Sequence, residues 1–148
     1  MKKIIATNSN NWAPLVARLA LGLTILPHGA QKLLGMFGGY GFTGTMGFLT
    51  GKAGLPYIFA LLVILIEFFG SLCLIFGVIT RLAAFGFIAL FAGVVITSHL
   101  QNGFFMNWQG AQPGEGIEYF ILVFGLALSL LISGGGKASV DGALTKSR

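Results

Sequence analysis

A chain of 148 residues makes one domain and leaves little room for a soluble domain beside a membrane-embedded one. With 55% hydrophobic and only 9% charged residues, and a mean hydropathy of +0.88, its composition lies well outside the range of soluble proteins. The net charge of +5 comes from basic residues scattered over the ends and loops, without a basic face that carries interleaved aromatics, which argues against nucleic acid as a partner. The composition predicts an integral membrane protein whose surroundings are a lipid bilayer.

Four stretches approach the roughly 20 apolar residues that a transmembrane helix needs. They are residues 13–35, 55–79, 82–100 and 117–133. A polar interruption at residues 7–11 separates the basic N-terminal segment from the first stretch, so we interpret that stretch as an uncleaved span rather than a signal peptide. The sequence therefore predicts an all-α fold, a single membrane domain over residues 1–148 built as a four-transmembrane-helix bundle.

The positions of lysine and arginine predict the orientation of the bundle. Four spans place both termini on one side, which carries Lys2, Lys3, Arg81, Lys137, Lys146 and Arg148. The opposite side carries Lys52 and, at the end of the first span, Lys32. Because cytoplasmic loops hold an excess of basic residues, we expect both termini in the cytoplasm.

The two connections on the opposite side are rich in aromatic residues. Residues 35–54 combine many glycines with four aromatics, and residues 101–116 place Phe104, Phe105 and Trp108 between polar residues. Aromatic side chains favour the depth of the lipid headgroups, so both segments are expected at the outer interface. They could roof the outer mouth of the bundle, or they could simply anchor it.

Six ionisable side chains lie within or at the rims of the predicted spans: Arg18, His28, Lys32, Glu67, His99 and Glu118. A charge in hydrocarbon costs roughly 2.5–3.5 kcal/mol on insertion scales, so such residues usually face one another or a polar cavity. A helical rise of about 1.5 Å per residue puts Glu67 near the midplane, with Lys32, His99 and Glu118 near the outer rim.

Helical angles test whether these groups face one another. On the first span Arg18, His28 and Lys32 fall within an arc of about 80°. Glu67 and Glu118 each share a stripe with small residues, which let neighbouring helices approach, so both carboxylates are expected to point inward. We therefore predict a cluster of His28, Lys32 and Glu118 in the outer half.

Glu67 is the most informative of the six residues, because it is a carboxyl group near the midplane. An isolated midplane carboxyl would be neutral, whereas pairing with Arg18 would keep it ionised, and the depths of the two favour a buried pair. Such a pair could fix helix register, or Glu67 could accept a proton or orient a ligand. His99 projects away from the small-residue stripe of the third span and is assigned to the outer loop.

The order of these residues resembles that of DoxX-type membrane proteins. The resemblance rests on Arg18-Leu19-Ala20-Leu21-Gly22, His28-Gly29-Ala30-Gln31-Lys32, Glu67, Phe76-Gly77-Val78-Ile79-Thr80-Arg81, His99 and Glu118. It covers nearly the whole chain and implies a small four-helix protein of the bacterial inner membrane. It also implies a role in redox metabolism, because family members are linked to quinone oxidoreductases and to oxidative-stress functions, although fold alone does not fix function.

The leading functional hypothesis is a quinone-type site. Such a site needs donors to a carbonyl, a carboxylate that exchanges protons, and aromatic walls. We assign Glu67 and His28 as catalytic residues and assign ligand binding to Arg18, Lys32, His99 and Glu118. With one cysteine and no dinucleotide motif in a suitable context, the chain would be an oxidoreductase subunit that needs an electron-carrying partner.

Three alternatives compete with the quinone site. Haem held by His28 and His99 is less favoured, because two histidines are a weak signal and His99 points elsewhere. A metal site built from the same residues and Glu118 lacks a tight ligand spacing, so no metal is predicted. A non-catalytic structural or accessory subunit, or a protein that conducts protons or a solute, stays open, as do the ligand and the oligomeric state.

Overall fold

The computed structural model describes residues 2–146, and this range contains helices and connections but no strand. This confirms the predicted all-α class. The α-helices are α1 Lys2–Ile5, α2 Ala13–Leu34, α3 Gly41–Gly47, α4 Tyr57–Leu65, α5 Ser71–Phe76, α6 Thr80–Val94, α7 Glu118–Ser133 and α8 Val140–Lys146. Arg148, which contributed to the predicted orientation, lies outside the described residues.

Three continuous helical stretches are long and apolar enough to cross a membrane: Ala13–Leu34, Tyr57–Phe76 and Thr80–Asn102. The second joins α4 to α5 through a π-helical turn, Ile66–Gly70, and the third extends α6 through the π-helical Val95–His99. The apolar helix α7 is shorter, with 16 residues. These helices make the chain a multi-pass membrane protein.

The core lies where α2, α5, α6 and α7 meet. Its centre is aromatic, with the rings of Phe87 and Phe91 stacked 5.9 Å apart and Phe120 of α7 set 5.8 Å from Phe91. Large apolar side chains also cover the outside of the bundle, among them Leu23, Phe85, Ile96, Leu122 and Ile132. Outward apolar side chains suit a helix bundle whose surroundings are lipid.

The connection between α2 and α4 folds back against the end of α2. Gly35 closes α2 in the left-handed conformation, at φ 72°, and its backbone N–H bonds to the carbonyl of Ala30. At Gly39 an added Cβ would lie 2.4 Å from the Gln31 carbonyl oxygen, so only glycine permits this close approach. Helix α3 therefore packs against α2, and the chain continues from it into the π-helical Phe48–Lys52.

At the opposite end of the bundle the two described ends of the chain lie together. The Thr7 hydroxyl donates to the Ser133 carbonyl at 3.0 Å, and the backbone N–H of Lys137 donates to the carbonyl of Asn11 at 2.9 Å. Arg81 reaches the same region and donates to the Ala6 carbonyl. The segment after α7 is thereby fixed to the start of α2 and to the connection between α5 and α6.

Candidate functional site

A cavity of about 500 Å³ lies at the α3 end of the bundle. It is enclosed by α2, the α3 connection, the second span, the end of the third span and the start of α7. Its wall is largely apolar, with aromatic side chains from Phe48, Phe91, Tyr119 and Phe120. The titratable groups in the wall are His28, Lys32, Glu67, His99 and Tyr119. Four of these were predicted as site residues, and the structure brings those four to one cavity.

The polar centre of the cavity is an ion pair between Lys32 and Glu67. Lys32 Nζ lies 2.6 Å from Glu67 Oε2, and the two side chains are 28% and 6% exposed. The pair is possible because Gly29 brings α2 against the second span: a Cβ at Gly29 would lie 2.6 Å from the backbone nitrogen of Phe68. Lys32, about one turn beyond Gly29, then reaches the carboxylate.

π-helical turns border this cavity on three sides. In the described part of the chain there are three such turns, Phe48–Lys52, Ile66–Gly70 and Val95–His99. Each contributes to the wall: the first supplies Phe48, the second Glu67 and the third His99. Because π-helical turns are rare and concentrate at functional sites, their coincidence here marks the cavity as the candidate site.

The two histidines contribute to the wall in different ways. His28 is exposed and lies one turn before Lys32 on α2. His99 is half-buried, its ring is 4.6 Å from that of Phe120, and its Nδ1 lies 2.9 Å from the carbonyl oxygen of Glu115. Because a carbonyl oxygen only accepts, Nδ1 carries the hydrogen, which leaves Nε2 of the neutral ring as an acceptor. The assignment of His99 to the outer loop was wrong, because it ends a helix and lines the cavity.

Glu118 is placed outside the cavity, which corrects its predicted role. Its carboxylate accepts a hydrogen bond from Trp108 Nε1 at 3.2 Å and is absent from the wall. The prediction failed because the small residues Gly125 and Ser129 mark the exposed face of α7, whereas its packing face carries larger residues. Among the described residues, the connection around Trp108 contributes none to the cavity wall, whereas the α3 connection contributes Phe48 and Leu49.

Tyr119, the neighbour of Glu118, is the functional candidate that the sequence analysis missed. It is half-buried, lines the cavity and lies within electrostatic range of the Glu67 carboxylate. The sequence held a signal for Tyr119. Successive helical residues differ by 100° in direction, so Glu118 and Tyr119 cannot share a face of α7. The neighbouring aromatic residue Phe120 could have indicated which face packs against the bundle.

Arg18 lies at the other end of the bundle, so the predicted Arg18–Glu67 pair was wrong. Glu67 lies at the level of Gly29, which is about 16 Å along α2 from Arg18. The guanidinium group is buried and donates to five backbone carbonyls, those of Leu74, Ile75, Gly135, Lys137 and Ala138. The first two belong to the last turn of α5, where carbonyls lack partners within the helix. Arg18 therefore fixes the chain after α7 to α5.

The described residues contain no group of three or more His, Cys, Asp or Glu side chains that could hold a metal ion. The cavity wall carries one cation and one carboxylate in contact, the exposed imidazole of His28, the imidazole of His99 with its hydrogen on Nδ1, the phenol of Tyr119 and aromatic side chains. Such a set can hydrogen-bond a planar polar ring and exchange protons with it.

Comparison with known proteins gives two matches. The model of the DoxX family matches residues 13–100, from the start of α2 to just beyond His99. A protein of Bacillus subtilis (strain 168) with the name "Putative oxidoreductase CatD" is 28% identical over 116 residues, which cover 78% of this chain and 76% of that protein. No solved structure matches the chain significantly.

Proposed function

This chain belongs to the DoxX family, and on that premise we propose that it is a membrane subunit of a redox system that binds a quinone-type ring beside Lys32 and Glu67. The observation that carries the proposal is the contact of these two side chains, 2.6 Å apart, in the wall of a cavity of about 500 Å³. That volume lies within the range of about 300–1,000 Å³ that is usual for small-molecule sites.

The polar groups of the cavity suit a quinone and its reduced form. Lys32 Nζ and a ring N–H of His28 can donate to quinone carbonyls, and the Glu67 carboxylate can accept from the hydroxyls of the quinol. Reduction of the ring takes two electrons and two protons and breaks no bond to the protein. In this proposal both protons come from water at the mouth of the cavity, where His28 is exposed. His28 passes one proton to the ring, and the Glu67 carboxylate first takes up the other and then passes it to the second quinone oxygen.

The two electrons come from a partner oxidoreductase that carries its own redox cofactor. The chain has a single cysteine, Cys73, and it lies in the core rather than in the cavity wall. The relative from B. subtilis is named an oxidoreductase, which supports a redox role of this general kind. We place the protein in quinone-linked or oxidative-stress metabolism on the same grounds.

The proposal includes a topology of four spans in the bacterial inner membrane, with both termini in the cytoplasm. Helix α7 packs along α6 through Phe120, Val123, Ala127 and Leu130, and its 16 residues extend about 24 Å. With α7 across the bilayer, the end that carries Arg81 and Lys137 is the more basic one, which supports its cytoplasmic location. The cavity then opens toward the outer face.

Binding of a tail-free benzoquinone tests the proposed function. The probe is 2,3-dimethoxy-5-methyl-1,4-benzoquinone, and its affinity for the full chain in lipid nanodiscs is measured by equilibrium dialysis. We expect Glu67→Gln to weaken binding by about tenfold, as the loss of one charged hydrogen bond predicts. Glu118→Gln is the matched control, because it makes the same change outside the cavity and should leave the affinity unaltered.

Other outcomes of this experiment would contradict the quinone site. If the wild-type protein does not bind the probe, or if Glu67→Gln binds it as tightly as wild type, the quinone site is wrong. If Glu67→Gln lowers the free energy of unfolding without a change in binding, the ion pair serves the bundle, and the protein is a structural or accessory subunit. A Soret band in protein from haem-supplied cells would instead assign a haem to the two histidines.

A further inference from the structure

A second, smaller cavity of about 290 Å³ lies between the second span and α6. It forms an apolar groove, which we call the side groove, lined by Leu55, Phe59, Leu62, Val63, Ile66, Ala89, Leu90, Gly93, Val94 and Thr97. Four of these residues, Leu55, Val63, Val94 and Thr97, also line the first cavity. The two spaces therefore adjoin and share a wall.

The side groove opens on the outer surface of the bundle. Phe59 and Leu62 on one side, and Ala89 and Gly93 on the other, are exposed. Its one polar side chain, Thr97, directs its hydroxyl to the carbonyl of Gly93 at 2.8 Å. The groove thus presents an apolar surface to the bilayer and runs for about 12 Å along the third span, from Thr97 to Ala89.

We propose that the ligand is a quinone with a hydrocarbon tail, which enters from the bilayer and keeps its tail in the side groove while its ring occupies the first cavity. This inference rests on the proposed function for the ring. It is supported by the continuity of a polar cavity with an apolar groove, because that arrangement matches a molecule with a polar head and an apolar chain.

The side groove adds little to the binding free energy of a tailed ligand, because its surroundings are lipid. Lipid tails are as apolar as the groove, so moving a hydrocarbon chain from the bilayer into it gains little from the hydrophobic effect. The groove acts as a passage that a tail must occupy while the ring is bound. A side chain that fills the passage should therefore exclude tailed ligands and spare tail-free ones.

Gly93 offers a position where a larger side chain can be introduced beside the groove. An added Cβ at Gly93 would have no heavy atom within 4 Å, so the backbone leaves room for the first atom of the Gly93→Leu side chain. Gly125 on α7 is equally open and exposed, and it lines neither cavity. Gly125→Leu is thus a matched control that makes the same change away from the groove. Ala89→Leu, one turn from Gly93, is a second blocking variant.

The experiment compares two probes in the same nanodiscs: the tail-free benzoquinone and its decyl derivative. For each probe, the affinity of a variant is compared with that of wild type. Because both proteins are in the same lipid, partition of the probe into the bilayer cancels from this ratio. We expect Gly93→Leu and Ala89→Leu to weaken binding of the decyl probe by about tenfold, as expected where a side chain occupies the ligand's volume. They should leave the tail-free probe unaffected, and Gly125→Leu should change neither affinity.

Other results overturn the inference in distinguishable ways. If both blocking variants bind the decyl probe like wild type while the tail-free probe also binds, the tail lies elsewhere and the ring site stands. If Gly93→Leu weakens both probes and Gly125→Leu weakens neither, the substitution acts on the ring cavity, and the tail assignment is wrong. If wild type binds neither probe, the quinone site fails and the tail proposal fails with it.

Discussion

Asp141 accepts the backbone N–H of Thr80 with Oδ2 at 2.8 Å, and its Oδ1 takes the N–H of Ile79 at the same distance. A carboxylate from the segment after α7 thus caps the first turn of α6, where N–H groups have no partner within the helix. The cap also holds Ile79 at φ 43°, a conformation that β-branched residues rarely adopt. Asp141 is 1% exposed, so its carboxylate makes this cap out of contact with bulk water.

We predict that Asp141→Ala lowers the free energy of unfolding by about 1–3 kcal/mol for each N–H that it leaves unsatisfied. Asp141→Asn, which keeps one carbonyl acceptor, should cost less. The measurement is unfolding of the purified protein followed by circular dichroism. Benzoquinone affinity should stay unaltered in both variants, because Asp141 lies at the end of the bundle opposite the cavity. Equal stability of Asp141→Ala and wild type would contradict the cap.

A double-mutant cycle tests the ion pair between Lys32 and Glu67. Lys32→Met and Glu67→Gln each leave one largely buried group unpaired, so we expect each to cost about 1–3 kcal/mol in unfolding free energy. The double variant leaves no unpaired charge and should cost less than the sum of the two. Strict additivity would show that the two side chains do not interact.

Cysteine labelling tests the proposed topology. In a Cys73→Ser background, Ala111→Cys and Ala143→Cys place single thiols at exposed positions before and after α7. We expect a membrane-impermeant maleimide to label Ala111→Cys in intact spheroplasts and Ala143→Cys only after lysis. Labelling of both thiols in intact spheroplasts would mean that α7 does not cross the membrane, and the reverse pattern would mean the opposite orientation.

The sequence predicted the apolar helices well, because their length and composition are imposed by the bilayer. It also identified His28, Lys32 and Glu67 as candidate site residues, although helical period and depth grouped the first two with Glu118 and paired Glu67 with Arg18. Local pattern was sufficient for His28 and Lys32, because both lie on the long helix α2, where a separation of four residues puts them on one face.

Pairing between helices could not be predicted in the same way. The partner of Glu67 depends on the close approach at Gly29, which is a property of two helices rather than of either one. The partners of Arg18 are backbone carbonyls. Because every residue carries a carbonyl, no pattern of side chains in the sequence can predict which ones Arg18 binds. The cap by Asp141 joins residues some 60 positions apart and was missed for the same reason.

The single helix α2 carries Arg18 near one end and Lys32 near the other, about 21 Å apart along the axis. Arg18 donates hydrogen bonds to carbonyls of α5 and of the segment after α7, whereas Lys32 lines the cavity and donates to Glu67. The two side chains share none of their hydrogen-bond partners. Energetic effects at such separated positions usually add. Changes around Arg18 are therefore expected to leave the proposed ligand site at Lys32 unaltered, and changes at Lys32 are expected to leave the hydrogen bonds of Arg18 intact, so the two ends of α2 can evolve independently.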